Sequence, residues 1–305
     1  MAKLLEVNHL KKYFRTPAGM LHAVDDVSFS IGEGKTLGVV GESGCGKSTL
    51  GRTVLGLQEA TEGEILFEGR PTTGLPKKEQ KELRRNMQLI FQDPFSSLNP
   101  RYCVSELIAD PLKIYGLCKT KEELQKRVYE LMDTVGLARR LAYSYPHELD
   151  GGRRQRIGIA RALIVEPEFI VADEPISALD MSIRAQVLNL LRRLQKERGI
   201  TYLFIAHDLS VMRYISDRIA VIHKGSIVEL ADAEELVAHA IHPYTRSLLS
   251  AIPMPDPRRE RNKKLLVYDP AMHDYSTEAP QWRELRPRHW VLCSAAEAAQ
   301  WLPQA

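Results

Sequence analysis

The sequence predicts an α/β protein with a mainly parallel β-sheet and helices on both of its faces. After residue 169, short apolar strands alternate with longer helical patterns, which is typical of such a sheet. Earlier in the chain, a glycine-rich turn joins the short apolar strand Thr36–Val40 to a helical pattern. Period-two alternation of apolar residues before residue 32 adds an antiparallel β region at the N-terminus.

The N-terminal third is expected to contain strands, one helix and a hairpin. One strand lies around residues 4–7, and a second places Val27, Phe29 and Ile31 on one face. A hairpin is expected around residues 63–69. The helix after the glycine-rich turn has an apolar stripe formed by Leu50, Val54 and Leu57.

Residues 100–163 have a helical pattern. Within them Thr120 and Glu123 form a capping box, and Gly136 is a suitable residue to end the helix that starts there. The apolar stripe of this helix is Leu124, Val128, Leu131 and Val135.

The last part of the α/β region is predicted to end near residue 235. A strand at residues 169–172 precedes a helix at residues 182–198, and a strand at 202–206 follows. Strands at 219–222 and 227–229 form a hairpin that turns at Lys224 and Gly225. The proline-rich and charged remainder, residues 236–305, is interpreted as an appended extension in which residues 280–301 pack as a small unit rather than form a ligand site.

Composition excludes several classes of protein. The chain has 305 residues, 44% of them hydrophobic, and a formal net charge of +3, so it has enough apolar residues for a core and no strong charge excess that would indicate nucleic acid. Its uninterrupted apolar runs have the length of strands, far below the roughly 20 residues of a membrane span. An acid at position 6 argues against a signal peptide, and the four cysteines form no CxxC pair, which fits a reducing compartment.

The glycine-rich turn matches the phosphate-loop pattern GxxxxGK[ST] in full. We call residues 41–49 the phosphate loop; they are Gly41, Glu42, Ser43, Gly44, Cys45, Gly46, Lys47, Ser48 and Thr49. Glycines let the backbone wrap a phosphate chain, so that N–H groups and the helix N-terminus point at the anion. Lys47 is expected to reach the β and γ phosphates, and the Ser48 hydroxyl to bind Mg²⁺.

A buried strand that ends in two acids complements this loop. Residues 169–172 are apolar and lead to Asp173 and Glu174. Asp173 is expected to hold Mg²⁺, and Glu174 to polarise the attacking water as a general base.

A second anion site is predicted at another helix N-terminus, where Gly151 and Gly152 precede a helical stripe. With this site the chain resembles the nucleotide-binding subunit of an ABC transporter, because residues 149–153 stand where that family has its LSGGQ signature. The resemblance also matches Gln92 to the Q-loop, residues 177–180 to the D-loop and His207 to the switch histidine. It matches Tyr13 to the aromatic residue that stacks on adenine, with Phe14 as the other candidate.

The resemblance implies a P-loop NTPase (RecA-like) core with an N-terminal antiparallel β subdomain. It also implies an inserted α-helical signature subdomain at about residues 95–163, all within a nucleotide-binding domain of residues 1–235. By the same resemblance, ATP and Mg²⁺ are the ligands, Gln92 contributes to Mg²⁺ binding, and Asp150, Gly151 and Gly152 face ATP bound to a second subunit. Glu174 and His207 are the implied catalytic residues.

Two further segments, residues 98–101 and 242–253, are similar to the oligopeptide/dipeptide importer branch, and within it to the second of two non-identical ATPases. This implies peptide import at the cytoplasmic face of the membrane, in a complex with the other, non-identical ATPase as heterodimer partner, two permease subunits and an extracytoplasmic binding protein. Importers for nickel and some glycosides share the second segment, so another small solute stays open. A soluble, non-transport ABC ATPase is the alternative from a different class.

The sequence departs from the family at the signature and in the tail. Asp150 replaces the family's serine and Arg153 its glutamine, so a carboxylate would face the partner's nucleotide and weaken that site unless an arginine neutralises it. The alternative is that Asp150 only caps its helix. The tail holds Cys293 alone, whereas many members carry a cysteine cluster there, so no iron–sulfur cluster is expected.

Overall fold

The computed structural model describes residues 3–17, 19–93, 97–253, 263–276 and 278–301. Its strands are β1 (Lys3–Thr16), β2 (Gly19–Gly32), β3 (Thr36–Val40), β4 (Glu62–Phe67), β5 (Arg70–Pro71), β6 (Met87–Ile90), β7 (Phe169–Asp173), β8 (Thr201–Ile205), β9 (Arg218–His223), β10 (Ser226–Asp232), β11 (Gln281–Arg286) and β12 (His289–Cys293). Its α-helices are α1 (Lys47–Val54), α2 (Lys77–Asn86), α3 (Val104–Tyr115), α4 (Lys121–Thr134), α5 (Gly151–Leu163), α6 (Met181–Arg198), α7 (Leu209–Ile215), α8 (Ala233–Ala238), α9 (Pro243–Ala251) and α10 (Ala295–Trp301).

The larger sheet has the strand order β11-β12-β10-β9-β3-β8-β7-β6. Strands β3, β6, β7, β8 and β9 pair in parallel, whereas β10, β11 and β12 continue the sheet in antiparallel pairs. The prediction of a mainly parallel sheet is confirmed. The parallel strands β3 and β7 end on the same edge, so the phosphate loop and Glu174 start from neighbouring positions.

The two faces of this sheet pack against different partners. Val39 of β3 belongs to a buried cluster with α1 and the smaller sheet, which has the order β2-β1-β4-β5. Val40 points the other way, into a cluster with the buried sides of α3 to α8. This alternation follows from the period of two along a strand, and it confirms the prediction of helices on both faces.

The N-terminal and middle elements agree with the sequence in type but differ at some ends. Strands β1 and β2 pair antiparallel as predicted, and β4 with β5 forms the predicted hairpin. The assignment of Leu57 to the stripe of α1 is wrong: the helix ends at Val54, Gly56 has a positive φ of 65°, and Leu57 lies beyond with 58% exposure.

The capping box at α4 forms only in part. Thr120 Oγ1 accepts a hydrogen bond from Glu123 N at 3.1 Å, as predicted. The carboxylate of Glu123 reaches one residue further back and accepts from Lys119 N at 2.9 Å. One contact satisfies a backbone donor in the first turn and the other a donor just before it, so the helix start is stabilised although the pairing differs.

The C-terminal extension is joined to the larger sheet through Glu229. Strand β12 pairs with β10, and the fully buried Glu229 carboxylate lies 2.7 Å from His289 Nε2 of β12. The same carboxylate accepts hydrogen bonds from Ile241 N and His242 N. The end of the chain is packed as expected, although its strands join the larger sheet. That it forms no ligand site, and that a domain boundary lies near residue 235, stay predictions.

His242 is a buried member of this extension. It is 2% exposed, and its Nδ1 accepts a hydrogen bond from Tyr244 N at 3.1 Å, which caps α9. Burial lowers the pKa of His242 to about 3, and the nearby positive charges of His273, His223 and Arg246 act in the same direction. The imidazole is therefore neutral in the folded protein.

Throughout the described ranges, each helix is too short or too polar to cross a bilayer.

Candidate nucleotide-binding site

The phosphate loop connects the end of β3 to the start of α1. Gly46 caps α1 with a left-handed backbone of φ 104°, and a Cβ at this position would clash with the carbonyl oxygen of Ala23 in β2. The Gly225 amide, next to Ala23, donates to Cys45 O at 3.0 Å. Two neighbouring backbone segments therefore pack against the loop, and only glycine fits at position 46.

Lys47 lies at the centre of the loop. Its ammonium group is buried and donates hydrogen bonds to Gly41 O at 2.8 Å and Glu42 O at 2.7 Å. Backbone carbonyls thus hold the charge in place. A phosphate is a stronger acceptor than a neutral carbonyl, so the same group can turn to a bound anion.

Ser48 and Asp173 meet as the sequence predicts. Ser48 Oγ donates to Asp173 Oδ1 at 2.8 Å, and Arg52 Nη2 lies 3.9 Å from Asp173 Oδ2. Burial raises the pKa of the Asp173 carboxyl above its usual range. A buried carboxylate beside a hydroxyl offers the oxygen ligands that Mg²⁺ prefers, so these residues fit the expected metal.

Glu174 lies close to two other residues predicted for the site, Gln92 and His207. Its backbone has a positive φ of 45°, and its amide donates to Ile205 O at 3.0 Å, which directs the side chain away from the strand. Gln92 Nε2 donates to Glu174 Oε2 at 2.9 Å, and His207 Nδ1 lies 3.8 Å from the same oxygen. The amide and the imidazole therefore both lie within 4 Å of one carboxylate oxygen of the predicted base.

Tyr13 lies on β1, which pairs with β2, the strand that carries Ala23. Its hydroxyl donates to Asp25 Oδ1 at 2.5 Å, and its ring stacks on His22 with centroids 3.9 Å apart. The bond to Asp25, with burial, raises the pKa of Tyr13 to about 12. The alternative residue, Phe14, instead lies under the Lys12 ammonium.

The signature residues begin α5, away from the phosphate loop's hydrogen bonds. Asp150 Oδ1 accepts a hydrogen bond from Arg153 N at 2.8 Å, so Asp150 caps the helix. Whether Asp150 does this alone or also faces a partner's nucleotide stays a prediction. Arg153 Nε lies 3.4 Å from Asp150 Oδ2, with both side chains about half exposed. Gly151 and Gly152 form the first turn, and a Cβ on Gly152 would press against Ile183 of α6 at 2.7 Å.

Sequence reasoning missed two residues of this site. Arg52 follows Ser48 by four residues on α1, a helical spacing that places both near Asp173 and could have revealed it. Tyr244 contacts the loop through Glu42 N at 3.0 Å. No local pattern indicates that contact, because 202 residues separate the two.

Comparisons with known proteins agree with this geometry. The ABC transporter family profile matches residues 24–177, and the profile "Oligopeptide/dipeptide transporter, C-terminal region" matches residues 228–277. The oligopeptide transport ATP-binding protein OppF of Bacillus subtilis is 59% identical over 97% of both chains. AmiF of Streptococcus pneumoniae is 52% identical over 98% of this chain and 97% of its own. The dipeptide transport ATP-binding protein DppF of Lactococcus lactis is 51% identical over 97% and 96%.

The solved structures similar to this chain are also ABC ATP-binding proteins. The ATP-binding cassette MJ0796, a dimer bound to ADP and phosphate, has a TM-score of 0.69 and 31% identity over 75% of this chain and 98% of its own. CbiO1 of Clostridium perfringens has a TM-score of 0.69 and 27% identity over 78% and 92%. This chain therefore belongs to the ABC transporter family of ATP-binding proteins. Its fold is that of P-loop ATP hydrolases, which bind ATP together with Mg²⁺.

Proposed function

We propose that this chain is the ATP-hydrolysing subunit of an importer for oligopeptides or dipeptides. The observation that carries this proposal is that a single chain matches both the ABC transporter region and the oligopeptide/dipeptide transporter C-terminal region. Relatives named for oligopeptide and dipeptide transport match it along almost their whole length. The peptide substrate follows from these relationships, since the cargo is expected to contact other subunits.

The phosphate loop is the proposed binding site for the phosphates of ATP. Its N–H groups face the anion, and Lys47 exchanges its carbonyl partners for the β and γ phosphates. Ser48, Asp173 and Gln92 are the proposed holders of Mg²⁺. When bound, this ion neutralises charge on the phosphates. Tyr13, oriented by its contacts with His22 and Asp25, is the proposed adenine contact.

Glu174 is the proposed general base for hydrolysis. Its carboxylate takes a proton from the water that attacks the γ-phosphorus, so that a new P–O bond forms as the bond to ADP breaks. Gln92 holds one oxygen of this carboxylate at 2.9 Å. His207, whose Nδ1 lies 3.8 Å from the same oxygen, is proposed to orient the water and contact the γ-phosphate.

The chain is proposed to work as half of a heterodimer with a second, non-identical ATPase. Asp150, Gly151 and Gly152 would close over ATP bound to that partner, and the partner's signature would close over the phosphate loop of this chain. Two permease subunits and an extracytoplasmic binding protein complete the transporter. The chain would then sit at the cytoplasmic face of the membrane as a peripheral subunit. The absence of an iron–sulfur cluster stays a prediction; among the described residues, no three or more His, Cys, Asp or Glu side chains are grouped so that they could hold a metal.

The test is ATP turnover by the assembled transporter in vesicles, with and without peptide. Glu174→Gln removes the base while the side chain keeps its shape, and we expect turnover to fall about 10²- to 10⁴-fold. The matching change in the partner ATPase should cost less, because the site made from Asp150 is expected to be weaker. The exposed Glu197→Gln on α6 is the matched control and should turn over normally.

Three outcomes would contradict parts of the proposal. Equal losses from the two Glu→Gln changes would refute unequal sites. Stimulation of turnover by nickel but not by peptide would assign another solute. Absence of ATP turnover in the wild-type complex would refute the function itself.

A further inference from the structure

Tyr244, in the C-terminal extension, contacts the phosphate loop directly. Its hydroxyl accepts a hydrogen bond from Glu42 N at 3.0 Å. The carbonyl oxygen of Glu42 accepts a hydrogen bond from Lys47 Nζ at 2.7 Å. Glu42 is therefore held at both its amide and its carbonyl, the first by a residue from outside the ATPase core and the second by the loop itself.

The Tyr244 side chain is fixed by an aromatic cluster. It is 1% exposed, and its ring centroid lies 4.3 Å from that of His223 and 5.3 Å from that of Tyr268. His223 ends β9, and the carbonyl of its neighbour Ile222 lies against Gly41, the first residue of the loop. A hydroxyl held this firmly defines the position of the amide that donates to it.

The remaining contacts hold other parts of the loop. Gly225 binds Cys45 O, and Ala23 lies against Gly46, so both act on the half that leads into α1. In the proposed function, Lys47 leaves the Glu42 carbonyl when it turns to phosphate. Glu42 O then keeps the longer bond from Cys45 N at 3.4 Å, which lies within the loop, whereas the bond from Glu42 N to Tyr244 ties the first half of the loop to the extension.

We infer that Tyr244 is a positioning residue that preorganises the phosphate loop, and that the C-terminal extension thereby contributes to nucleotide binding. The inference rests on the proposed function in one respect, namely that the loop binds ATP. A loop that must be ordered on binding loses affinity, because part of the interaction free energy is consumed in the ordering. The contribution of Tyr244 should therefore be seen in affinity for ATP more than in the rate of the bound complex.

The test compares Tyr244→Phe with Tyr268→Phe in the full chain, alone and in the assembled transporter. Tyr244→Phe keeps the ring and leaves Glu42 N without its partner. We expect KM for ATP to rise about tenfold with kcat changed less than about twofold. Tyr268→Phe removes a hydroxyl from the same cluster, where the ring contacts are with other aromatic residues, and KM should stay within about twofold of the wild-type value.

Hydrogen exchange provides a readout that does not need ATP. In Tyr244→Phe, the amide of Glu42 should exchange about tenfold faster, whereas α1 should exchange as in the wild type. Unchanged exchange at Glu42 together with an unchanged KM would overturn the inference. Equal effects of the two variants on KM, with equal loss of thermal stability, would also overturn it, because they would indicate general packing. If the wild-type chain binds no ATP but exchange responds as expected, the proposed function fails and the positioning role stands.

Discussion

Asp150→Ser tests whether the altered signature weakens the ATP site that this chain shares with its proposed partner. Asp150 caps α5 through Arg153 N and lies 3.4 Å from the Arg153 guanidinium. Serine is an equally good capping residue, so this substitution removes the charge and keeps the cap. We expect the free energy of unfolding to change by less than about 0.5 kcal/mol, whereas Asp150→Ala should lose about 1 kcal/mol.

The expected gain in ATP affinity follows from the charges. A carboxylate about 4 Å from a phosphate charge is repelled by roughly 4 kcal/mol at an effective dielectric of about 20, and by about 1 kcal/mol in bulk water. In the single chain the Asp150 and Arg153 side chains are 53% and 49% exposed, and a partner would cover them further, so the repulsion lies between these two limits. The ion pair that Asp150 makes with Arg153 offsets less than about 1 kcal/mol of this repulsion, because both side chains are half exposed. We therefore expect Asp150→Ser to tighten ATP binding about tenfold, equivalent to about 1.4 kcal/mol.

The assay is ATP turnover in the assembled transporter with Glu174→Gln in this chain, so that the site completed by Asp150 is the one that still turns over. Asp150→Ser should lower its KM for ATP about tenfold, and Arg153→Gln alone should raise it, because that change removes the neutralising charge. The double variant restores the family's pattern and should have a KM at least as low as that of Asp150→Ser. An unchanged KM in Asp150→Ser, with the stability of the chain preserved, would refute the electrostatic reasoning.

Two further predictions concern the loop and the extension. In chemical denaturation, Gly46→Ala should lower the free energy of unfolding by at least about 2 kcal/mol more than Gly44→Ala. Both positions have a positive φ, but only a Cβ at position 46 meets the Ala23 carbonyl. Equal losses of stability in the two variants would show that this close approach is unimportant. His242, with a pKa of about 3 in the folded state and about 6.5 when unfolded, stabilises the protein fully above pH 6.5 and progressively less as the pH falls towards 3. Between pH 7.5 and 5.5 the free energy of unfolding of the wild-type chain should fall by about 1.4 kcal/mol more than that of His242→Asn, which keeps a capping oxygen for Tyr244 N. Parallel curves of unfolding free energy against pH would contradict the low pKa of His242.

Much of the fold could be predicted because its signals are local. A helix or strand is indicated by apolar residues that recur within a few positions, as in α6, where Val187, Leu190, Leu191 and Leu194 follow the helical period and are all buried. The end of α1 was missed for the same reason: Leu57 continues the helical period, but the chain has already turned at Gly56. A periodic pattern alone does not show where a helix stops.

By itself, the sequence determined the phosphate loop, the acids at the end of β7 and the presence of a signature helix. Each depends on residues that are neighbours along the chain, and glycine spacing or strand polarity is enough to predict them. The tertiary structure alone decided how Glu174, Gln92 and His207 meet at one carboxylate oxygen. It also decided that β12 extends the sheet and that Tyr244 reaches the phosphate loop. These contacts join segments far apart in sequence, so they exist only once strand order and helix packing have brought those segments together.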